Sequence, residues 1–149
     1  MYVNVKGRIN SEGKVMENFI LNDSHMVGDY LLDAQHKAIL GYMAKVYETL
    51  LAGKKQIEVF ELVDSLDAYC KLHFMDEEKM LNETRFPGIK HHMAQHVLFL
   101  SHLENFMGKY DQQNITRNVD EFLFLKRWFM EHIIEFDRLY AAFNKLSNE

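Results

Sequence analysis

Two pairs of residues with metal-binding side chains, each four positions apart, constrain what this chain can fold into. His73 and Glu77 form the first pair, and His92 and His96 form the second. The turn-forming segment Phe86-Pro87-Gly88 lies between the pairs. Residues four apart lie on one face of an α-helix, one turn apart. If both pairs are helical and the chain reverses between them, three imidazoles and one carboxylate point to one place, which is half of a metal site.

Four segments of the chain carry apolar residues at three- and four-residue steps, a period that indicates amphipathic helices. Gly53, Pro87 and the polar residues 111–114 separate these segments and are typical of helix ends and turns. The connections are short, so we predict an all-α fold, an up-down-up-down antiparallel four-helix bundle. The four predicted helical segments are 33–50, 59–84, 89–110 and 119–145.

The N-terminal part of the chain has a different pattern. Residues 1–18 are predicted to be an N-terminal extension, and residues 19–149 are predicted to form the bundle domain. Over residues 19–32, polar and glycine positions interrupt the apolar ones, which favours a packed, non-helical lead-in. Asp33 is then the expected N-cap of the first helix.

Composition excludes several classes of function. The net charge is -5 and no basic run occurs, so binding to nucleic acid is not expected. No stretch of about 18 apolar residues and no signal-peptide pattern is present, which predicts a cytoplasmic protein that is not inserted in a membrane. The single cysteine, Cys70, allows no internal disulfide and fits a reducing compartment. A monomer is the default expectation.

An antiparallel bundle offers a test of which other residues share the level of the two pairs, because residues at one height are mirrored about the connecting turn. The midpoint between residues 73–77 and 92–96 falls near position 84 or 85. The midpoint between His36 and residues 73–77 falls near 55 or 56, and that between residues 92–96 and residues 132–137 falls near 114. All three midpoints lie in or next to predicted connections, so His36, His132 and Asp137 join the site.

Metal binding explains this set of side chains best. One histidine on an apolar helix face is usually a hydrogen-bonded core residue, but five imidazoles and two carboxylates buried together without partners would cost several kcal/mol. Seven donors exceed the four of a structural zinc site, and imidazole with carboxylate suits iron, so two metals sharing the carboxylates are expected. A ferritin-like site is excluded because no Glu-x-x-His occurs. The predicted ligands are His36, His73, Glu77, His92, His96, His132 and Asp137.

Several motifs over about residues 25–143 match one known family. They are Val27-Gly28, Leu32-Asp33-Ala34-Gln35-His36-Lys37, His73-Phe74-x-x-Glu77-Glu78, Phe86-Pro87, His92-x-x-x-His96 and His132-Ile133-x-x-x-Asp137-x-x-Tyr140. In these motifs the chain resembles the hemerythrin family, specifically the single-domain bacteriohemerythrins. The resemblance implies a non-haem di-iron site in which Glu77, Asp137 and an oxo or hydroxo group bridge the two irons.

The resemblance also implies which iron each histidine binds. His92, His96 and His132 would hold one iron, while His36 and His73 would hold the other and leave an open position for dioxygen. The implied function is reversible dioxygen binding for storage, delivery or scavenging, without an enzymatic reaction. Two alternatives stay open: a sensor of oxygen or iron that acts through a partner, and a di-iron peroxidase or an enzyme that handles nitric oxide.

Two further expectations concern the surroundings of the metals. His132 and Asp137 are five apart, which corresponds to about 140° on a regular α-helix. We therefore expect either a π-type widening near residues 133–136 or a site wedged between helices. Apolar residues are expected to form a dry ligand pocket, namely Leu40, Phe99, Leu100, Trp128, Phe129 and Ile133.

The remaining polar residues near these motifs are assigned structural or solvated positions. His91 is expected to face outward, while His25 and His102 lie off the ligand faces. A solvated face is expected to hold Asp76, Glu78 and Lys79.

Overall fold

The computed structural model describes residues 18–148, and within them every regular secondary-structure element is a helix. A short 3-10 turn precedes the first long helix, and a π-helical segment interrupts the last one. The elements are the 3-10 turn Asp23–His25, α1 Tyr30–Leu51, α2 Gln56–Glu83, α3 Ile89–Lys109, α4 Ile115–His132, the π-helical segment Ile133–Asp137 and α5 Arg138–Ser147. The predicted all-α bundle is confirmed. Apart from Asn18, the predicted extension 1–18 lies outside the described residues.

The helices pack as an antiparallel bundle because short turns reverse the chain between them. α1 contacts α2, α2 contacts α3, α3 contacts α4, and α1 closes the ring against α4. A main apolar cluster follows the bundle axis, and a smaller cluster of Leu32, Leu81 and Tyr140 lies beside it. The polar site described below lies between the two clusters, since Phe129 of the main cluster and Tyr140 of the smaller one both approach it.

α1 begins earlier than predicted. Its N-cap is Asp29, whose Oδ1 accepts a hydrogen bond from the backbone N–H of Leu32 at 3.0 Å. Asp33 instead lies in the first turn, where its carboxylate accepts from the N–H groups of Val27 and Gly28 at 2.8 and 3.2 Å. The expected cap at Asp33 and the expected non-helical lead-in up to residue 32 are therefore wrong by one helical turn.

The reason for this error lies in the exposure of the first helical turn. Tyr30 is 93% exposed and Leu31 is 56% exposed, so two apolar residues stand on the solvent face and conceal the helical period. The residues before the helix are non-helical apart from the 3-10 turn, as expected. They pack on the bundle, with the Phe19 ring 5.3 Å from that of Tyr47.

Two of the turns between helices contain a glycine for a structural reason. Gly53, after α1, has φ +62, a left-handed conformation that side chains rarely adopt. A Cβ atom at Gly88 would lie 2.8 Å from the Phe86 ring, so the residue before α3 must stay small. These two positions place the reversals where the midpoint argument requires them.

The last helix of the bundle widens into a π-helix at Ile133–Asp137, which is one of the two expected alternatives. A π turn contains more residues than an α turn, so residues five apart can share a face. As a result His132 Nε2 and Asp137 Oδ1 lie 3.1 Å apart in the bundle interior. The widening therefore brings the fourth helix's histidine and carboxylate into one site.

No helix among the described residues is long and apolar enough to span a membrane.

Substitution of Asp29 tests the corrected start of α1. Asp29→Ala removes the side chain that caps the helix, so the free energy of unfolding should fall by about 1 kcal/mol. Urea denaturation of the metal-free protein measures this change. Asp120→Ala, at an exposed position of α4, is the control and should leave the free energy nearly unchanged; equal values for the two variants would contradict the assignment.

Candidate metal centre

All seven predicted ligands come together inside the bundle, and each is at most 3% exposed. Their potential ligand atoms form two overlapping sets, and within each set the atoms lie within 4.8 Å of one another. We call the larger set the five-donor group and the smaller set the three-donor group. The five-donor group is Glu77, His92, His96, His132 and Asp137, and the three-donor group is His36, His73 and Glu77.

Glu77 belongs to both groups because its two oxygens face opposite ways. Oε1 lies 2.6 Å from His92 Nε2 and 2.9 Å from His96 Nε2. Oε2 lies 3.3 Å from His73 Nε2 and 3.6 Å from His36 Nε2. One oxygen thus serves each group, which is the arrangement that a bridging carboxylate needs.

Asp137 divides its oxygens in the same way. Oδ1 lies 3.0 Å from His92 Nε2 and 3.1 Å from His132 Nε2, on the side of the five-donor group. Oδ2 lies 3.2 Å from His36 Nε2, on the other side. Both carboxylates therefore link the two groups.

Several of these polar atoms are buried without a hydrogen-bond partner, and this suits a metal. The unpartnered atoms include both ring nitrogens of His36, both of His132 and both carboxylate oxygens of Asp137. A buried polar group without a partner costs about 1–3 kcal/mol. The Nε2 atoms of His36 and His132 lie 3.2 and 3.1 Å from oxygens of Asp137, and the donor set of imidazole and carboxylate suits iron. The residues present therefore fit a metal site.

The two carboxylates determine the charge of the metal-free centre. Burial favours the protonated form of Glu77, but the surrounding imidazoles outweigh it and hold the pKa of Glu77 well below its usual range. Burial also lowers the pKa of His36, but Asp137 and Glu77 outweigh it and raise that pKa to about 9. The same two carboxylates raise the pKa of His92 to about 9. At neutral pH these two histidines are cations that offset two carboxylate charges.

Three outer residues hold the ligands in place, and the sequence did not reveal their roles. Gln35 Oε1 accepts from His73 Nδ1 at 2.7 Å, and Glu78 Oε1 accepts from His96 Nδ1 at 2.9 Å. The Tyr140 hydroxyl donates to Glu77 Oε2 at 3.0 Å. Hydrogen bonds of this kind orient metal ligands and select their tautomers. All three residues stand in the motifs quoted in the sequence analysis, and those motifs were the only sequence signal for them.

The expected solvated face of α2 is wrong for two of its three residues. Asp76 is half-buried and accepts from Gln35 Nε2 at 2.7 Å. Glu78 is also half-buried and bonds His96 as described, while Lys79 is exposed. A side chain beside the ligand face can contact the next helix. The helical period alone does not predict such contacts between helices.

Aromatic rings pack directly on the histidines. Phe74 stacks on His96 with centroids 3.9 Å apart and an interplanar angle of 11°. Trp128 stacks on His132 at 5.2 Å and 8°. Phe129 meets the His36 ring edge-on at 5.9 Å. These contacts limit ring rotation, so the imidazoles are held in their positions before a metal arrives.

All six predicted pocket residues are buried or half-buried, and one of them, Leu100, lines a groove at the surface. Leu40, Phe99, Phe129 and Ile133 are at most 1% exposed, and Trp128 is half-buried against His132. Leu100 lines a surface groove that includes residues of α2 and α3, such as Asp67 and Val97.

The other histidines lie outside the two donor groups. His25 is buried in the lead-in, where its Nδ1 accepts from the backbone N–H of Asn22 at 3.2 Å. His91 is exposed beside Phe136. His102 is half-buried against Phe124 and Trp128.

Comparison with known proteins gives one family. The family model described as "Hemerythrin HHE cation binding domain" matches residues 27–143. This range contains every member of the five-donor and three-donor groups.

Similar proteins carry related names. A bacteriohemerythrin of Methylococcus capsulatus is 27% identical over 109 residues, which are 73% of this chain and 82% of that protein. A bacteriohemerythrin of Clostridium acetobutylicum is 27% identical over 126 residues, 82% of this chain and 98% of that protein. A myohemerythrin of Riftia pachyptila is 26% identical over 129 residues, 87% of this chain and 96% of that protein. No solved structure matches the chain significantly.

Metal uptake should release protons from the centre. His36 and His92, with pKa values raised to about 9, are protonated at pH 7.5 in the metal-free protein and must be neutral to bind a metal. Anaerobic titration with Fe²⁺ should therefore release about two protons per chain, measured by calorimetry in buffers of different ionisation enthalpy.

The same raised pKa values predict the direction of a pH effect on the metal-free fold. The stability that these two histidines contribute is fully present below the unfolded-state pKa of 6.5 and is lost as the pH rises through about 9. Proton release on metal uptake should shrink over the same range. Release that is absent at pH 7.5, or constant to pH 10, would contradict this description of the centre.

Proposed function

This chain belongs to the hemerythrin family, and we propose that it binds dioxygen reversibly at a pair of non-haem iron ions, for storage, delivery or scavenging. The observation that carries the proposal is the pair of overlapping donor groups that share Glu77. A single metal ion would leave several of the seven buried donors without a role. The names of the similar proteins, bacteriohemerythrin and myohemerythrin, support the same function.

The proposed ligands follow the two groups. His92, His96 and His132 would hold one iron, and His36 and His73 would hold the other. Glu77 and Asp137 would be shared, because each directs one oxygen toward either side. A pair of iron ions supplies two electrons that dioxygen can take up and return.

The inequality of the two groups supports the binding of an external molecule. Catalytic or ligand-binding metal sites keep a coordination position open, whereas structural sites are closed. Besides the shared carboxylates, one side offers three imidazoles and the other offers two. We therefore propose that dioxygen binds on the side of His36 and His73.

The apolar residues around His36 would control what reaches this side. His36 is fully buried, and Phe129 packs edge-on against its ring. Leu40 and Ile133 are also fully buried. A dry environment of this kind keeps water and protons away from the bound ligand, and this favours its return as dioxygen over an irreversible reaction.

Visible absorption tests the proposal directly. The iron-loaded, reduced protein should be nearly colourless, should gain an absorption band when dioxygen is admitted, and should lose the band on degassing. Repeated cycles should restore most of the band. A band that forms once and does not reverse would contradict reversible binding and favour a sensor or an enzyme, and no iron-dependent band would overturn the proposal altogether.

A pair of histidine variants serves as the control. His73→Ala removes a buried proposed ligand, so it should bind fewer than two irons per chain and lower the unfolding temperature of the iron-loaded protein. His91→Ala removes an exposed histidine next to His92 and should bind iron and dioxygen as the unmodified chain does. If His73→Ala retained two irons per chain, the ligand assignment would be wrong.

A further inference from the structure

Two of the proposed ligands, one on each side of the centre, hydrogen-bond to chemically different acceptors. His96, in the five-donor group, donates its Nδ1–H to the carboxylate of Glu78 at 2.9 Å. His73, in the three-donor group, donates its Nδ1–H to the amide oxygen of Gln35 at 2.7 Å. A charged acceptor withdraws the proton more strongly than a neutral one, and this makes the imidazole a stronger electron donor to a metal.

The orientation of the Gln35 amide is imposed by a second contact. Its Nε2 donates to Asp76 Oδ2 at 2.7 Å. An ionised carboxylate can only accept hydrogen bonds, so the amide must turn its nitrogen to Asp76 and its oxygen to His73. That oxygen in turn requires the proton of His73 on Nδ1 and leaves Nε2 free, 3.3 Å from Glu77.

The contacts form one continuous chain of Asp76, Gln35 and His73, which we call the His73 hydrogen-bond chain. Gln35 is only 5% exposed, so its amide is satisfied by these two partners in the interior. The His73 hydrogen-bond chain links α1, which carries Gln35, to α2, which carries His73 and Asp76. It keeps the carboxylate of Asp76 one amide group away from the His73 ring. At His96 nothing separates the carboxylate from the ring.

We propose that the His73 hydrogen-bond chain positions His73 and tunes the reduction potential of the metal held by His36 and His73. With an amide as the acceptor, this metal is easier to reduce than it would be if a carboxylate accepted directly from His73. The inference rests on the proposed function, in which this side binds dioxygen. A weaker donor stabilises the ferric state less, so the reduced protein resists irreversible oxidation. Gln35 and Asp76 are positioning residues, since they act through the hydrogen bond to His73 Nδ1.

Exchanging the amide of Gln35 and the carboxylate of Asp76 tests the inference without changing the net charge. The double variant Q35E/D76N places the carboxylate directly on His73 and the amide behind it, and it conserves both hydrogen bonds. The midpoint potential of the iron centre, measured by spectroelectrochemistry, should fall. The expected change is on the order of tenfold in the equilibrium between oxidised and reduced iron, about 59 mV for one electron.

A matched control separates this effect from a general effect of moved charges. Q56E/D64N makes the same exchange at exposed positions of α2. Asp64 lies nine residues before His73, roughly 13 Å along the helix. The control should keep the potential of the unmodified chain. Equal potentials for Q35E/D76N and the control would overturn the inference.

Zinc-loaded protein provides a test that does not depend on iron chemistry or on folding of the double variant. In the unmodified chain loaded with Zn²⁺, nitrogen-15 NMR should find the His73 proton on Nδ1, protected from exchange with water. Q35L should lose that protection and bind Zn²⁺ about tenfold more weakly. A proton on Nε2, or protection that survives Q35L, would overturn the inference.

The two proposals fail in different ways. An iron-loaded protein with no reversible dioxygen band would refute the proposed function, and the zinc experiment would still decide whether Gln35 holds the Nδ1–H of His73 in a hydrogen bond. A reversible band together with an unchanged potential in Q35E/D76N would refute the tuning role alone.

Discussion

The burial of two carboxylates among five imidazoles is the constraint on which the rest of this structure depends. Glu77 and Asp137 are at most 1% exposed, and burial alone would drive both toward the neutral form. The imidazoles reverse this effect and keep both carboxylates ionised. Ionised groups in a packed interior are tolerated only when opposite charges or metals meet them. The bundle is therefore shaped around a site whose charge is balanced by protons or by metal ions.

Local features of the helices follow from this requirement. The turns at Gly53 and at Phe86-Pro87-Gly88 bring separate helices to one level, and the π-helical segment Ile133–Asp137 turns Asp137 toward His132. Stacked rings such as Phe74 on His96 hold the donors in place. Because each carboxylate directs one oxygen to either side, the site divides into two unequal halves. In the proposed function, dioxygen would bind at the half with fewer imidazoles.

Much of this arrangement could be predicted from the sequence, because helical period and spacing are local properties. The helical segments, the level of the seven donors and the wide turn between His132 and Asp137 follow from such spacing. The start of α1 was misjudged because exposed Tyr30 and Leu31 hide the period, and Asp29 caps the helix instead of Asp33. The partners Gln35 and Glu78 could not be predicted either, because the reach of a side chain across two helices depends on their packing distance and on rotamers.

The central claim is that Glu77 is shared between two metal ions, and anomalous diffraction tests it most directly. Crystals of the iron-loaded protein measured at the iron absorption edge should show two peaks per chain, roughly 3.5–4 Å apart, as in other two-metal sites. One peak should lie among His92, His96 and His132, and the other beside His36 and His73, with the Glu77 carboxylate between them. A single peak, or two peaks of which one lies away from Glu77, would contradict the account.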